Sequence, residues 1–132
     1  MNRRDVLILG GAAMLLAGRA SASNIDYVPG LVTERLAAGE TLFVNFFAPW
    51  CSTCRTQERH IEAIRAENSA YDAAMSFIRV DWDTYGTGPL AQRLQIPRRS
   101  TLVVLRGEQE LGRIVAGTSR TAIQALMDLG LA

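Results

Sequence analysis

Hydrophobic positions change their spacing several times along the chain, and each change marks an element. Residues 42–47 are apolar at every position except Asn45, as in a strand covered by helices on both faces. From residue 52 to about 68, Cys54, Glu58, Ile61, Ile64 and Arg65 recur at helical spacing, while Arg55, Arg59, Glu62 and Glu67 fall elsewhere. Residues 75–80 carry Phe77, Ile78 and Val80 and read as a second strand, preceded by a turn over 71–74 and closed by Asp81-Trp82-Asp83. Leu31, Val32, Leu36 and Ala37 predict a short helix ending near Gly39, after an extended, polar lead-in over 23–29. Glycines and a proline make 85–89 a loop, and Pro89 opens a short helix to Leu94. Residues 101–105 and 111–115 pair as a β-hairpin across the turn 106–110. Thr118 or Ser119 then caps a last helix whose apolar positions are Ile123, Leu126, Met127 and Leu131. The order is helix, strand, helix, strand, helix, strand, strand, helix, which predicts an α/β fold: a central mixed sheet of about four strands with helices on both faces.

The chain has 132 residues, 48% of them hydrophobic, enough for one small core and a leader. The leader is residues 1–22. Arg3, Arg4 and Asp5 make a charged start, residues 6–18 an apolar run, and Ala20-Ser21-Ala22 a small-residue cleavage site. The run is short for a permanent membrane anchor, so residues 23–132 are expected to be released as a single domain without membrane insertion. Paired arginines followed by Asp5, Val6 and Leu7 fit a twin-arginine export signal; an ordinary secretory signal with two basic residues is the alternative. Both lead out of the cytoplasm, to a periplasm.

Charge excludes other partners. Of 14 basic residues, every one Arg, and 13 acidic residues, 11 and 12 remain once Arg3, Arg4, Arg19 and Asp5 leave with the leader. A nearly balanced domain offers no electrostatic footprint for nucleic acid or an anionic membrane.

The chemistry lies in Trp50-Cys51-Ser52-Thr53-Cys54. Pro49 ends the first strand and a helix starts beyond Trp50, so the cysteines sit at a strand-to-helix junction. Positions i and i+3 on a first helical turn face the same way, within reach of an unstrained disulfide. Unpartnered N–H groups and the helix dipole favour a thiolate there. Cys51 is therefore read as nucleophile and Cys54 as the resolving thiol, with the reversible disulfide between them in place of any cofactor. A structural staple is the competing reading, but a loop this short removes little chain entropy from the unfolded state.

This stretch resembles the thioredoxin superfamily, whose pattern of a buried strand ending in Phe-x-Ala-x-Trp-Cys-x-x-Cys is matched by Phe46, Ala48, Trp50, Cys51 and Cys54. The resemblance covers roughly residues 30–131 and implies the thioredoxin fold. It also implies a cis-proline before the third strand, packed on the cysteines. Here that place falls to Ser100, which with Thr101 is expected to line the substrate groove, unless a lengthened loop lets Pro97 fill it. Hairpin spacing favours Ser100 in a trans peptide, giving a less rigid, more polar wall beside Cys51. Family members often carry a buried Asp beneath the resolving cysteine; Asn45 stands there and takes up no proton, which makes Glu58, one turn from Cys54, a candidate substitute. Trp50 is expected to shield the disulfide, Gly117 to let a partner's backbone approach, and Arg99 to favour the thiolate or an acidic partner. Neither Ser52 nor Thr53 is proline, so both keep an N–H for a sulfur anion.

A metal site is not expected, since two thiols and the distant His60 leave a four-ligand set incomplete within one chain. The leading expectation is an exported, monomeric thiol-disulfide oxidoreductase acting on protein thiols or disulfides. By the resemblance, it acts as a reductant recharged by a membrane electron carrier. A binding module with idle cysteines is the main alternative, and metal handling a weaker one.

Overall fold

In the computed structural model, residues 24–132 are described, and the leader expected over 1–22 lies outside them. The elements are β1 (Ile25–Asp26), α1 (Leu31–Ala37), β2 (Thr41–Phe47), α2 (Ser52–Glu67), α3 (Ala70–Ala74), β3 (Ser76–Asp81), α4 (Trp82–Tyr85), α5 (Pro89–Leu94), β4 (Thr101–Arg106), β5 (Gln109–Val115) and α6 (Arg120–Leu129). The strands form one five-stranded sheet in the order β1-β3-β2-β4-β5. β3 runs parallel to both β1 and β2, whereas β4 is antiparallel to β2 and β5 to β4. The predicted mixed sheet is thus present, with a fifth strand, the two-residue β1, inside a segment whose pattern shows only extended backbone.

Strand alternation assigns the two cores. Leu42, Val44 and Phe46 of β2 share one face with Ile78, Val80, Val103 and Leu105, under α1 and α5 through Val32, Leu90 and Ala91. Phe43 lies on the other face with Phe77, Leu102 and Val104, against Ile61 and Ile64 of α2 and Ile123, Leu126 and Met127 of α6. Covered on both sides, β2 is buried along its length apart from Phe47 at its end, which is why its sequence is a nearly continuous apolar run.

Helix ends follow the chain's capping chemistry. Ser119, not Thr118, caps α6 by accepting from the Ala122 N–H at 3.2 Å. Asp81 accepts from the Asp83 N–H and starts α4, a single turn where alternation predicts only the close of a strand. Leu131 is a correction: it lies beyond α6 and is exposed, the helix ending at Leu129 with Gly130 as its C-cap, where an added Cβ would collide with Met75.

The layers bring three segments to one end of the sheet: the end of β2 with the start of α2, the residues before β4, and the loop after β5. Open α/β sheets bind ligands at the carboxyl ends of parallel strands, and this is that end of β2. Ile123→Ala, which empties a fully buried position between sheet and α6, is expected to cost about 2–5 kcal/mol and lower the thermal midpoint by about 10 °C or more, checked by calorimetry. An unchanged midpoint contradicts this packing.

Candidate active site

β2 ends at Phe47, and Pro49 has no N–H with which to continue a ladder. The Cys51 N–H turns back to the Ala48 carbonyl at 3.1 Å, and Cys51, extended at φ −90° and ψ 113°, becomes the N-cap of α2. Its Sγ accepts from the Cys54 N–H at 3.1 Å, the place usually taken by a hydroxyl or carboxylate oxygen. Both thiols are free. They pack with Ala48, Phe47 and Trp82, and both are buried, Cys51 retaining 3% exposure and Cys54 1%.

Ser100 occupies the wall opposite. Its Oγ lies 3.2 Å from Cys51 Sγ and 3.0 Å from Cys54 Sγ, within hydrogen-bonding reach of both thiols. Among the described residues every peptide bond is trans, Pro97 is exposed, and Ser100 is the residue against the sulfurs. Ser100 has φ +65°, a left-handed conformation uncommon for a residue with a Cβ. Three backbone hydrogen bonds hold it: its N–H donates to Phe46 at 2.7 Å, and its carbonyl accepts from Ala116 N–H at 2.8 Å and from Gln57 Nε2 at 3.0 Å.

Gln57 is the residue that the sequence pattern passes over. It is fully buried on α2, one turn past Cys54, and its amide also donates to the Gly117 carbonyl at 2.9 Å. Both amide hydrogens are thereby used, which fixes the side chain's orientation and ties the loops before β4 and after β5 to the helix that carries the cysteines. A polar residue on the core side of an amphipathic helix was the available signal.

The sulfur environments differ. Burial pushes the Cys51 thiol up, but hydrogen bonds from Cys54, Ser100, the Cys54 backbone N–H and Arg99 outweigh it and lower its pKa to about 7. Burial raises Cys54, and its neighbour Cys51 raises it further, against smaller opposing contributions from Ser100 and the Ala48 backbone. The outer sulfur is thus the anion and the inner one the proton reserve, the division of labour that exchange requires.

The other expected residues fall as follows. Trp50 is 58% exposed, its Nε1 donates to Asp83 Oδ2 at 3.0 Å, and the Arg99 guanidinium lies 4.4 Å from its ring centre. Trp82, not Trp50, is the tryptophan packed with the sulfurs. Thr101 is buried and donates to the Arg98 carbonyl at 2.7 Å, so its side chain lines no groove, contrary to the sequence expectation. Gly117 turns its carbonyl inward to Gln57, and an added Cβ would meet Ile114 at 2.9 Å; the glycine is needed for internal packing. Asn45 is buried and donates to Glu58 Oε2 at 3.1 Å, while Arg79 pairs with the same carboxylate at 2.9 Å. Glu58 is therefore fixed in a polar cluster rather than freely solvated. His60 is half-buried, and among the described residues no group of three or more His, Cys, Asp or Glu is placed to hold a metal.

A parallel-and-antiparallel sheet whose central strand delivers a two-cysteine helix cap defines a dithiol α/β protein. The thioredoxin family model matches residues 23–129, and the chain belongs to the thioredoxin family. It is 33% identical over 107 residues to thioredoxin-2 of Saccharomyces cerevisiae, covering 80% of this chain and 90% of that protein. It is 31% identical over 92 residues to mitochondrial thioredoxin-2 of Schizosaccharomyces pombe, covering 70% of this chain and 65% of that protein. Among solved structures it is similar to Trxlp from Edwardsiella tarda, with a TM-score of 0.68 and 28% identity over 79% of this chain and 98% of that one.

Gln57→Leu keeps the side-chain volume but takes the amide away from the Ser100 carbonyl, which keeps the Ala116 N–H, and from the half-buried Gly117 carbonyl. It is expected to destabilise the protein by about 1–3 kcal/mol in urea titration, because two hydrogen bonds that join α2 to the loops are lost. An unchanged denaturation midpoint would remove Gln57 from the account.

Proposed function

We propose that this protein is an exported thiol-disulfide oxidoreductase that reduces disulfides in partner proteins. The observation that carries the reading is the asymmetry of the pair: one thiol caps a helix and titrates at about 7, while the other is raised and stands one turn behind it. With its pKa lowered to about 7, Cys51 is thiolate to a far greater extent at neutral pH than an ordinary thiol. That anion attacks one sulfur of a partner disulfide, the partner's other sulfur leaves and takes a proton from water, and a mixed disulfide remains on Cys51. Cys54 then attacks Cys51 Sγ, the second partner sulfur leaves as a thiol, and Cys51–Cys54 becomes the disulfide. Two electrons have passed to the partner, and a donor must return them; a membrane electron carrier suits a domain outside the cytoplasm.

Export rests on the sequence of residues 1–22, with its paired arginines, apolar run and small-residue cleavage site. The periplasm is the compartment such a leader serves, and the released domain acts there as a monomer. The relatives named above are thioredoxins, which supports the chemistry.

Full-length chain expressed in a Gram-negative host is expected to appear in the periplasmic fraction with a mass beginning at Ser23. There Cys54→Ser accumulates mixed disulfides with partner proteins, and Cys51→Ser neither traps partners nor reduces an added protein disulfide. Retention in the cytoplasm would overturn the export reading, and reduction by Cys51→Ser at the native rate would overturn the chemistry.

A further inference from the structure

We propose that the Ser100 hydroxyl is a catalytic group of this dithiol, a proton relay that couples Cys54 to the sulfur being released. The inference rests on the exchange reading above and assigns a chemical role to a side chain that the reading itself does not need. Its basis is position. One oxygen lies 3.0 Å from Cys54 Sγ and 3.2 Å from Cys51 Sγ, in a fully buried place with no competing water-facing side.

A hydroxyl both accepts and donates, and here one thiol stands within reach of each capacity. With Cys51 ionised, its thiolate receives the Ser100 O–H and the Cys54 backbone N–H, and the Cys54 S–H is shared between Ser100 Oγ and Cys51 Sγ. Proline, alanine or glycine in this place supplies neither half. The held backbone adds to the argument, because Ser100 keeps its left-handed conformation through bonds made by its own N–H and carbonyl, leaving the hydroxyl free of any structural duty.

In the resolving step Oγ accepts the Cys54 proton as Cys54 attacks Cys51 Sγ, and its own proton passes to the departing partner sulfur. The bond between Cys51 and the partner breaks, the Cys51–Cys54 bond forms, and the hydroxyl ends as it began. No outside oxidant or base is needed. Asn45, the buried polar side chain of β2, cannot accept that proton. Of the other charged groups on this side, Arg99 bonds to Cys51 and lies over Trp50 but has no proton-accepting atom, Asp83 holds the Trp50 indole, and Glu58 pairs with Arg79 and Asn45.

The test is Ser100→Ala in the reduced chain, which removes only Oγ, with Ser100→Gly as a second variant that also accepts φ +65° without strain. Each is mixed with one equivalent of bis(2-hydroxyethyl) disulfide, quenched in acid and followed by intact mass. In the native protein the adduct on Cys51 is expected to convert promptly to the internal disulfide. In both variants the adduct should persist about tenfold longer or more. The deficit should narrow as pH rises and hydroxide takes the Cys54 proton, which a mere displacement of Cys54 would not produce. The thiolate absorbance of Cys51 should also titrate about one unit higher. Native-like adduct lifetimes in both variants across the pH range would overturn the role of Ser100 and leave the exchange reading standing. A native protein that never forms the internal disulfide would overturn the exchange reading, and this role with it.

Discussion

Helix α2 begins on a sulfur, and the rest of the site follows from that. The Cys54 N–H that would otherwise be an orphan at the helix start donates to Cys51 Sγ, so ending β2, starting the helix and acidifying the thiol are one interaction. A charged acceptor makes the stronger cap. The sign of the linkage follows. Cys51 is depressed to about 7 in the fold, so its contribution to the stability of the reduced protein is full above the ordinary thiol value and lost as pH falls through about 7. Cys54 is raised, so its contribution is full below the ordinary thiol value and lost as pH rises past it.

The wall facing the sulfurs is held at some cost. Ser100 and Ala116 both sit at positive φ, near +65° and +63°, and each such residue costs on the order of 1–3 kcal/mol unless its surroundings over-determine it. They do: Ser100 bonds to Phe46 and Ala116 through the backbone and to Gln57 through its carbonyl. Gln57 closes the circuit by reaching Gly117 as well. One amide on the cysteine-bearing helix thus locks the two loops that frame the sulfurs, which keeps the sulfur-to-hydroxyl distances short without a rigid ring in that place.

Much of this was legible in the chain because the signals are local. The apolar run of β2, broken only by Asn45, the proline beyond it and the i, i+3 cysteines are contiguous, and the hairpin read across 106–110 closes more tightly, at 107–108 with Gly107 at φ +60°. What escaped depends on tertiary placement. Gln57 reads as one more polar helix residue until the loops it binds, 43 and 60 residues away, are brought beside it. Glu58 reads as a candidate proton acceptor for Cys54 until Arg79 arrives from β3, opposite Asn45 in the parallel register, and pairs with its carboxylate. The exchange of roles between Trp50 and Trp82 has the same origin, since only α4, a turn without a periodic signature, carries Trp82 to the sulfurs.

The central claim is that two chemically identical thiols, three residues apart, have been made unlike by their surroundings. The direct test is a brief pulse of iodoacetamide on the reduced native chain over a series of pH values, with the labelled peptides separated by mass. Labelling is predicted to fall on Cys51 and to rise through a midpoint of about 7, with Cys54 left largely unlabelled at neutral pH. Equal labelling of the two cysteines, or a Cys51 midpoint at the ordinary thiol value of about 8.5, would contradict it.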